Sequence, residues 1–91
     1  MLKDKIEEKL KNSFAPTYLR VDDDSALHAG HSGAIPGKST HFRVRIISDV
    51  FCELSRIERH KKVYACLNQE FKSGLHAFQL ETLCPQEVQE E

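Results

Sequence analysis

The stretch Thr40-His41-Phe42-Arg43-Val44-Arg45-Ile46-Ile47-Ser48 constrains the fold more than any other. Successive side chains of a strand point to opposite faces, so Phe42, Val44 and Ile46 fall on one side and His41, Arg43 and Arg45 on the other. A strand divided in this way needs an apolar layer against one face and accepts water on the other. The chain must therefore build a sheet covered on one side only, with a basic open face.

The flanking segments supply the cover and the other strands. Leu2, Ile6, Leu10 and Phe14 recur every four residues among lysines and glutamates, which predicts an amphipathic first helix that Pro16 ends. Alternation in Thr17–Val21 predicts a strand. Between residues 55 and 73, Ile57, His60, Tyr64, Leu67 and Phe71 follow at steps of three and four, which predicts one long helix with these residues on its core stripe. Ser55 and Glu58 form a capping-box pattern at its start, and Gly74 provides a stop. A helical turn is expected in Asp49–Leu54 and a short one after Pro85, with a third strand over His76–Thr82, where His76 shares its parity with Phe78 and Leu80. The expected order is α-β-β-α-α-β: an α+β fold with a three-stranded mixed sheet and helices on one face.

With 91 residues and 40% apolar content, the chain has the core of one domain, placed at 1–85, with an acidic tail at 86–91 expected to fray. Thirteen Lys and Arg against fourteen Asp and Glu give no overall field that would draw it to nucleic acid or an anionic membrane. Cys52, Cys66 and Cys84 are odd in number and lack C-x-x-C spacing, which argues against a disulfide framework and for a reducing, intracellular, cytoplasmic setting. The amino-terminal segment has no apolar run of the kind a signal peptide or a spanning helix requires.

Between the first two strands lies the least regular part of the chain, with three consecutive aspartates, Asp22 to Asp24, three glycines, and histidines at 28 and 31. Neutral imidazoles are competent ligands for zinc, copper or iron. Solvated loop histidines explain the same residues, and spacing alone does not separate the two readings. The aspartates lack the alternation of a calcium loop and read as a solvated strand end. Arg56, Arg59, Lys61 and Lys62 concentrate positive charge in the first half of the long helix, where with Arg43 and Arg45 they form a candidate phosphate-contacting surface or simply a solvated face. No aromatic platform for stacking bases is expected, because Tyr64 and Phe71 are placed in the core. No nucleophile elbow, zinc-protease motif or P-loop is present, and the chain reads as a non-enzyme. The edge of so small a sheet also leaves room for a homodimer.

Four motifs, in order, resemble the BolA family: D-x-S followed by a histidine in Asp23–His28, G-x-x-T-H-F-x-V in Gly37–Val44, F-x-x-x-S-x-x-x-R-H-x-x-V-Y in Phe51–Tyr64, and G-x-H-A-x-x-L-x-T in Gly74–Thr82. The resemblance covers nearly the whole chain and implies a fold similar to a type II KH domain. It also implies a non-enzymatic partner of monothiol glutaredoxins that shares a [2Fe–2S] cluster with them, in iron–sulfur assembly and trafficking or iron sensing. The family's ligand positions match His76 and, in the long loop, His28, with His31 three residues away as the alternative. Glutathione and the glutaredoxin cysteine are the implied remaining donors; no cluster is expected on the isolated chain. Bacterial relatives imply the alternative of a transcriptional regulator that binds DNA through its helix–turn–helix region. Where relatives usually carry glycine in F-x-G-x-S, this chain has Glu53, a carboxylate unsuited to a phosphate backbone.

Overall fold

The computed structural model describes residues 2–23, 41–73 and 77–88. Helix α1 spans Leu2–Phe14, strand β1 Tyr18–Asp23, β2 His41–Ile47, helix α2 Arg56–Cys66, α3 Asn68–Lys72 and β3 Ala77–Leu83. Short 3-10 turns at Asp49–Phe51 and Pro85–Glu87 precede α2 and follow β3. The sheet order is β1-β2-β3; β1 runs antiparallel to β2, from Tyr18 opposite Ile47 to Asp23 opposite Phe42. β3 runs parallel to β2, from His41 beside Ala77 to Ile47 beside Leu83. The mixed sheet expected from the order of elements is thus present, with β1 and β3 at its edges.

The core lies between the sheet and the helices. Ile6, Leu10 and Phe14 of α1 meet Val21, Phe42, Val44 and Ile46 of the sheet and Val63 and Leu67 beyond them. Phe51, fully buried in the turn before α2, packs its ring 5.2 Å from that of Phe14. Full burial of each such side chain contributes about 1.5–3 kcal/mol. Buried Ser48 joins three elements: its hydroxyl donates to the Phe14 carbonyl at 2.6 Å and accepts from the Val50 amide, while its own amide donates to Leu83 at 2.9 Å. Ala15 holds a left-handed φ of 43° where α1 ends, and Pro16 prevents the helix from resuming.

Three expectations are corrected. The long helix divides at Leu67, whose φ of −101° and ψ of 17° leave the helical region, so α3 stands as a separate turn and a half. Its buried stripe is Arg59, Val63 and Leu67, not the stripe through Ile57 and Tyr64, which are 70% and 42% exposed. A charged residue took the inward position because its guanidinium is fully partnered there, and the helix is rotated accordingly. Cys52 and Cys84 form a disulfide with Cα atoms 4.7 Å apart, so the cysteine count no longer argues for a reducing compartment. Beyond residue 85, Glu87 is bound to Arg59.

The capping box is formed as its spacing predicts: the Glu58 amide donates to Ser55 Oγ at 3.2 Å and the Ser55 amide to Glu58 Oε1 at 3.0 Å. The bond from the Ser55 amide, followed by the Ser55 hydroxyl, holds the Glu58 carboxyl below the usual glutamate range. Ser55→Ala is expected to cost about 1 kcal/mol in urea unfolding without changing the slope of the transition.

Candidate functional site

Strand pairing brings three strand ends to one end of the sheet. β1 ends at Asp23, paired with Phe42, and β2 begins at His41, beside Ala77, the first residue of β3. The segment 24–40 leaves and rejoins the sheet at this end, and the segment 74–76 joins it there. His28, His31 and His76, the residues matched to the family's ligand positions, lie in these two segments, outside the described residues. What the topology supplies is a common anchorage for the two segments: His41, which follows the first, is paired with Ala77, which follows the second, and Asp23, which precedes the first, is paired with Phe42. His41 sits half-buried at the same end. Asp22 forms an ion pair with Arg20 at 3.0 Å, and among the described residues no three His, Cys, Asp or Glu side chains come together as a metal site.

Beside this end lies an aromatic hollow of about 510 Å³, lined by Tyr64, Asn68, Phe71 and Phe78. The three rings pack in one cluster, with centroids 5.2 Å apart for Tyr64 and Phe71, 5.9 Å for Tyr64 and Phe78 and 5.5 Å for Phe71 and Phe78. Phe71 stands on α3, the element leading into segment 74–76, and Phe78 is the second residue of β3. The helical repeat had placed Tyr64 and Phe71 in the interior. The signal that corrects this is the inward Arg59, which turns Tyr64 toward the rim. Lys9 fixes α3 to α1 by donating to Glu70, a buried carboxylate, at 2.9 Å.

The basic residues of α2 divide into two kinds. Arg56, Lys61 and Lys62 are exposed. Arg59 is 5% exposed and is committed internally: Nε donates to the Leu54 carbonyl at 3.0 Å, Nη1 to the Thr82 carbonyl at 3.2 Å, and the two terminal nitrogens grip the Glu87 carboxylate at 2.7 and 3.2 Å. It joins the entrance of α2 to the end of β3 and to the last turn, with four of its five N–H donors committed inside the protein. Arg43 and Arg45 project from the open face of the sheet, Arg45 pairing with Glu81 at 3.3 Å, whereas α2 packs on the covered side. The two basic groups therefore do not converge on one surface. His60 is half-buried, edge-on to Tyr64, and with Arg56 and Thr82 lines a groove of about 430 Å³ between α2 and β3. Glu53 is exposed at the corner before α2.

The Arg59 guanidinium, followed by the bond from the Cys84 amide, holds the Glu87 carboxyl below the usual glutamate range. A depressed carboxyl stabilises the fold above its unfolded pKa, about 4.3, and that contribution is lost as pH falls through the folded value. The melting temperatures of the wild-type protein and Glu87→Gln are therefore expected to differ by a constant amount above about pH 5.5 and to converge as the medium is acidified below pH 4.

Comparison with known proteins gives concordant results. The profile of a family described as BolA-like protein matches residues 10–87. SufE-like protein 1, chloroplastic/mitochondrial, of Arabidopsis thaliana is 43% identical over 89 residues, 92% of this chain but 24% of that protein. The DNA-binding transcriptional regulator BolA of Haemophilus influenzae is 34% identical over 82 residues, 90% of this chain and 76% of the relative. Among solved structures, the BolA domain of SufE1 from Arabidopsis thaliana superposes with a TM-score of 0.84 at 42% identity, over 94% of each chain. BolA1 from the same plant gives 0.85 at 35% identity, over 96% of this chain and 95% of that one. The chain thus spans about a quarter of SufE-like protein 1, and most of the bacterial relative. Among the described residues no helix is long and apolar enough to cross a membrane.

Proposed function

The chain belongs to the BolA-like family, and we propose that within it this protein is the histidine-donating partner of a monothiol glutaredoxin, sharing a [2Fe–2S] cluster held between the two proteins in iron–sulfur assembly and trafficking or iron sensing. The observation that supports this most is the anchoring of segments 24–40 and 74–76 at one end of the sheet, on paired positions of adjacent strands. His76 and His28, with His31 as the alternative to the latter, are the proposed donors. The donor chemistry of the chain fits a shared site better than a self-contained one. Cys52 and Cys84 are bonded to each other, and Cys66 lies against Ser13 Oγ at 3.3 Å between α1 and α2. Three cysteines, two of them bonded to each other, cannot supply the four thiolates of a self-contained cluster, so in this reading the partner contributes thiolates, from its cysteine and glutathione, and this chain contributes imidazoles. Imidazole ligation in place of thiolate raises the potential of such a cluster. The hollow formed by Tyr64, Phe71 and Phe78 gives a partner an apolar anchor near the sheet end where β2 and β3 begin.

Anaerobic mixing of the apo protein with cluster-loaded monothiol glutaredoxin, followed by size exclusion with iron and labile-sulfide analysis, tests the reading. A one-to-one complex that retains iron and sulfide supports it. Elution of the two proteins apart, with iron on the glutaredoxin alone, overturns it.

A second reading, DNA-binding regulation, is favoured by exposed Arg56, Lys61 and Lys62 on one helix and by the bacterial relatives that are DNA-binding transcriptional regulators. Glu53 at the corner opposes it. A binding constant whose salt slope falls by about one unit for each of Arg56→Ala, Lys61→Ala and Lys62→Ala would support contact with phosphates, and an unchanged slope would exclude it.

A further inference from the structure

The two cysteines that form the disulfide differ in ways that matter for chemistry. Cys52 is exposed, in the turn that follows Phe51, whereas Cys84 is 6% exposed at the start of the Pro85–Glu87 turn. They are 32 positions apart, and between them lie α2, α3 and β3. The segments they join are also held together without sulfur. Leu54, two residues beyond Cys52, and Thr82, two before Cys84, both accept hydrogen bonds from Arg59, and Glu87 accepts from Arg59 and from the Cys84 amide at 2.7 Å. A bond whose loss leaves a second clamp in place is suited to reversible cleavage within a folded domain.

We propose that Cys52–Cys84 is a thiol–disulfide exchange site for a low-molecular-weight monothiol of the glutathione class, with Cys52 as the sulfur attacked. Access decides the direction of attack, because only the Cys52 sulfur is on an exposed residue. The incoming thiolate bonds to Cys52 Sγ, the Cys52–Cys84 bond breaks, and Cys84 leaves as a thiolate that takes up a proton. A second monothiol then attacks the mixed disulfide at its own sulfur, giving the reductant's disulfide and a Cys52 thiol. In sum two monothiols are oxidised and one protein disulfide is reduced, a two-electron exchange. The reduced chain keeps its sheet and the Arg59 clamp but loses the covalent tie between the entrance of α2 and the last turn, so the corner carrying Glu53 and Arg56 gains freedom. The inference does not depend on the cluster reading, since neither cysteine belongs to the sheet end that anchors the histidine segments.

The test uses the full chain in native buffer, with alkylation and peptide mass mapping before and after equilibration with reduced glutathione, and far-UV circular dichroism recorded throughout. Cys52 and Cys84 are expected to be blocked at first and labelled together after reduction, with the dichroism retained and the melting temperature lowered by roughly 10 °C or more. Oxidised glutathione should restore the block. In Cys84→Ser, exposure to oxidised glutathione should place the adduct on Cys52 and not on Cys66. Labelling of both cysteines before reduction, or protection that yields only when denaturant unfolds the chain, would overturn the proposal. Because the principal readout is on the wild-type protein, it holds even if Cys84→Ser does not fold.

Discussion

Arg59→Ala is expected to lower stability by about 3 kcal/mol, a large share of what a domain of this size possesses. The substitution removes the donors to the Leu54 and Thr82 carbonyls and leaves Glu87 without the guanidinium it faces. Truncating one partner of an enclosed ion pair costs more than the pair itself contributes, because the remaining group stays where it was placed without compensation. Glu87 is half-exposed, so water recovers part of that loss, and the two orphaned carbonyls carry most of it. Arg59→Lys should recover only a minor part, since one ammonium cannot reproduce a fork that reaches two carbonyls and a carboxylate. Arg56→Ala, Lys61→Ala and Lys62→Ala, at exposed positions, should each stay within about 0.5 kcal/mol of the wild type. Urea unfolding of the five variants measures the contrast. It also governs how nucleic-acid binding is to be tested: loss of binding in Arg59→Ala reports on folding, whereas the three exposed residues report on contact.

His76→Ala is expected to abolish the shared complex. Loss of groups that merely orient a metal ligand costs 10–100-fold in affinity, so loss of a donor itself should cost at least about 100-fold. Under the proposed function the His76→Ala protein, mixed anaerobically with cluster-loaded monothiol glutaredoxin, gives the visible spectrum of the glutaredoxin alone and elutes apart from it. The far-UV circular dichroism of the variant is recorded alongside and should match the wild type, so that loss of the complex is separated from loss of the fold. His28→Ala and His31→Ala divide the remaining choice: one should behave as His76→Ala does and the other as the wild type. If His76→Ala formed an unaltered complex, the donor assignment would be wrong while the partnership stood.

The alternation in Phe42, Val44 and Ile46 and the four-residue repeat in α1 were legible because apolar residues alone lined those faces. Both faces are buried as their spacing predicts. The second helix was misread by about one position because its inward face begins with an arginine, and periodicity counts a charge as solvent-facing. Only the position of Glu87, 28 residues on, shows why the charge is admitted. The same long-range relation gives Glu87 a partner that no local pattern announces. The disulfide was illegible for another reason: two cysteines 32 positions apart become neighbours only when β3 returns beside β2. His28, His31 and His76 come from motifs alone and lie outside the described residues, and only the strand register adds that the segments carrying them are anchored at one sheet end. Tyr64, Phe71 and Phe78 carried no distinguishing signal, since aromatic residues at helical and strand spacing read as core.

The most direct test of the proposed function is a nuclear label on this chain. The protein is prepared with 15N-histidine, combined with cluster-loaded monothiol glutaredoxin of natural isotopic content, reduced by one electron, and examined by pulsed electron paramagnetic resonance. Hyperfine couplings should carry the 15N signature and lose it in His76→Ala. Couplings unchanged by the label would mean that no histidine of this chain binds the iron, and the shared-site account would fall.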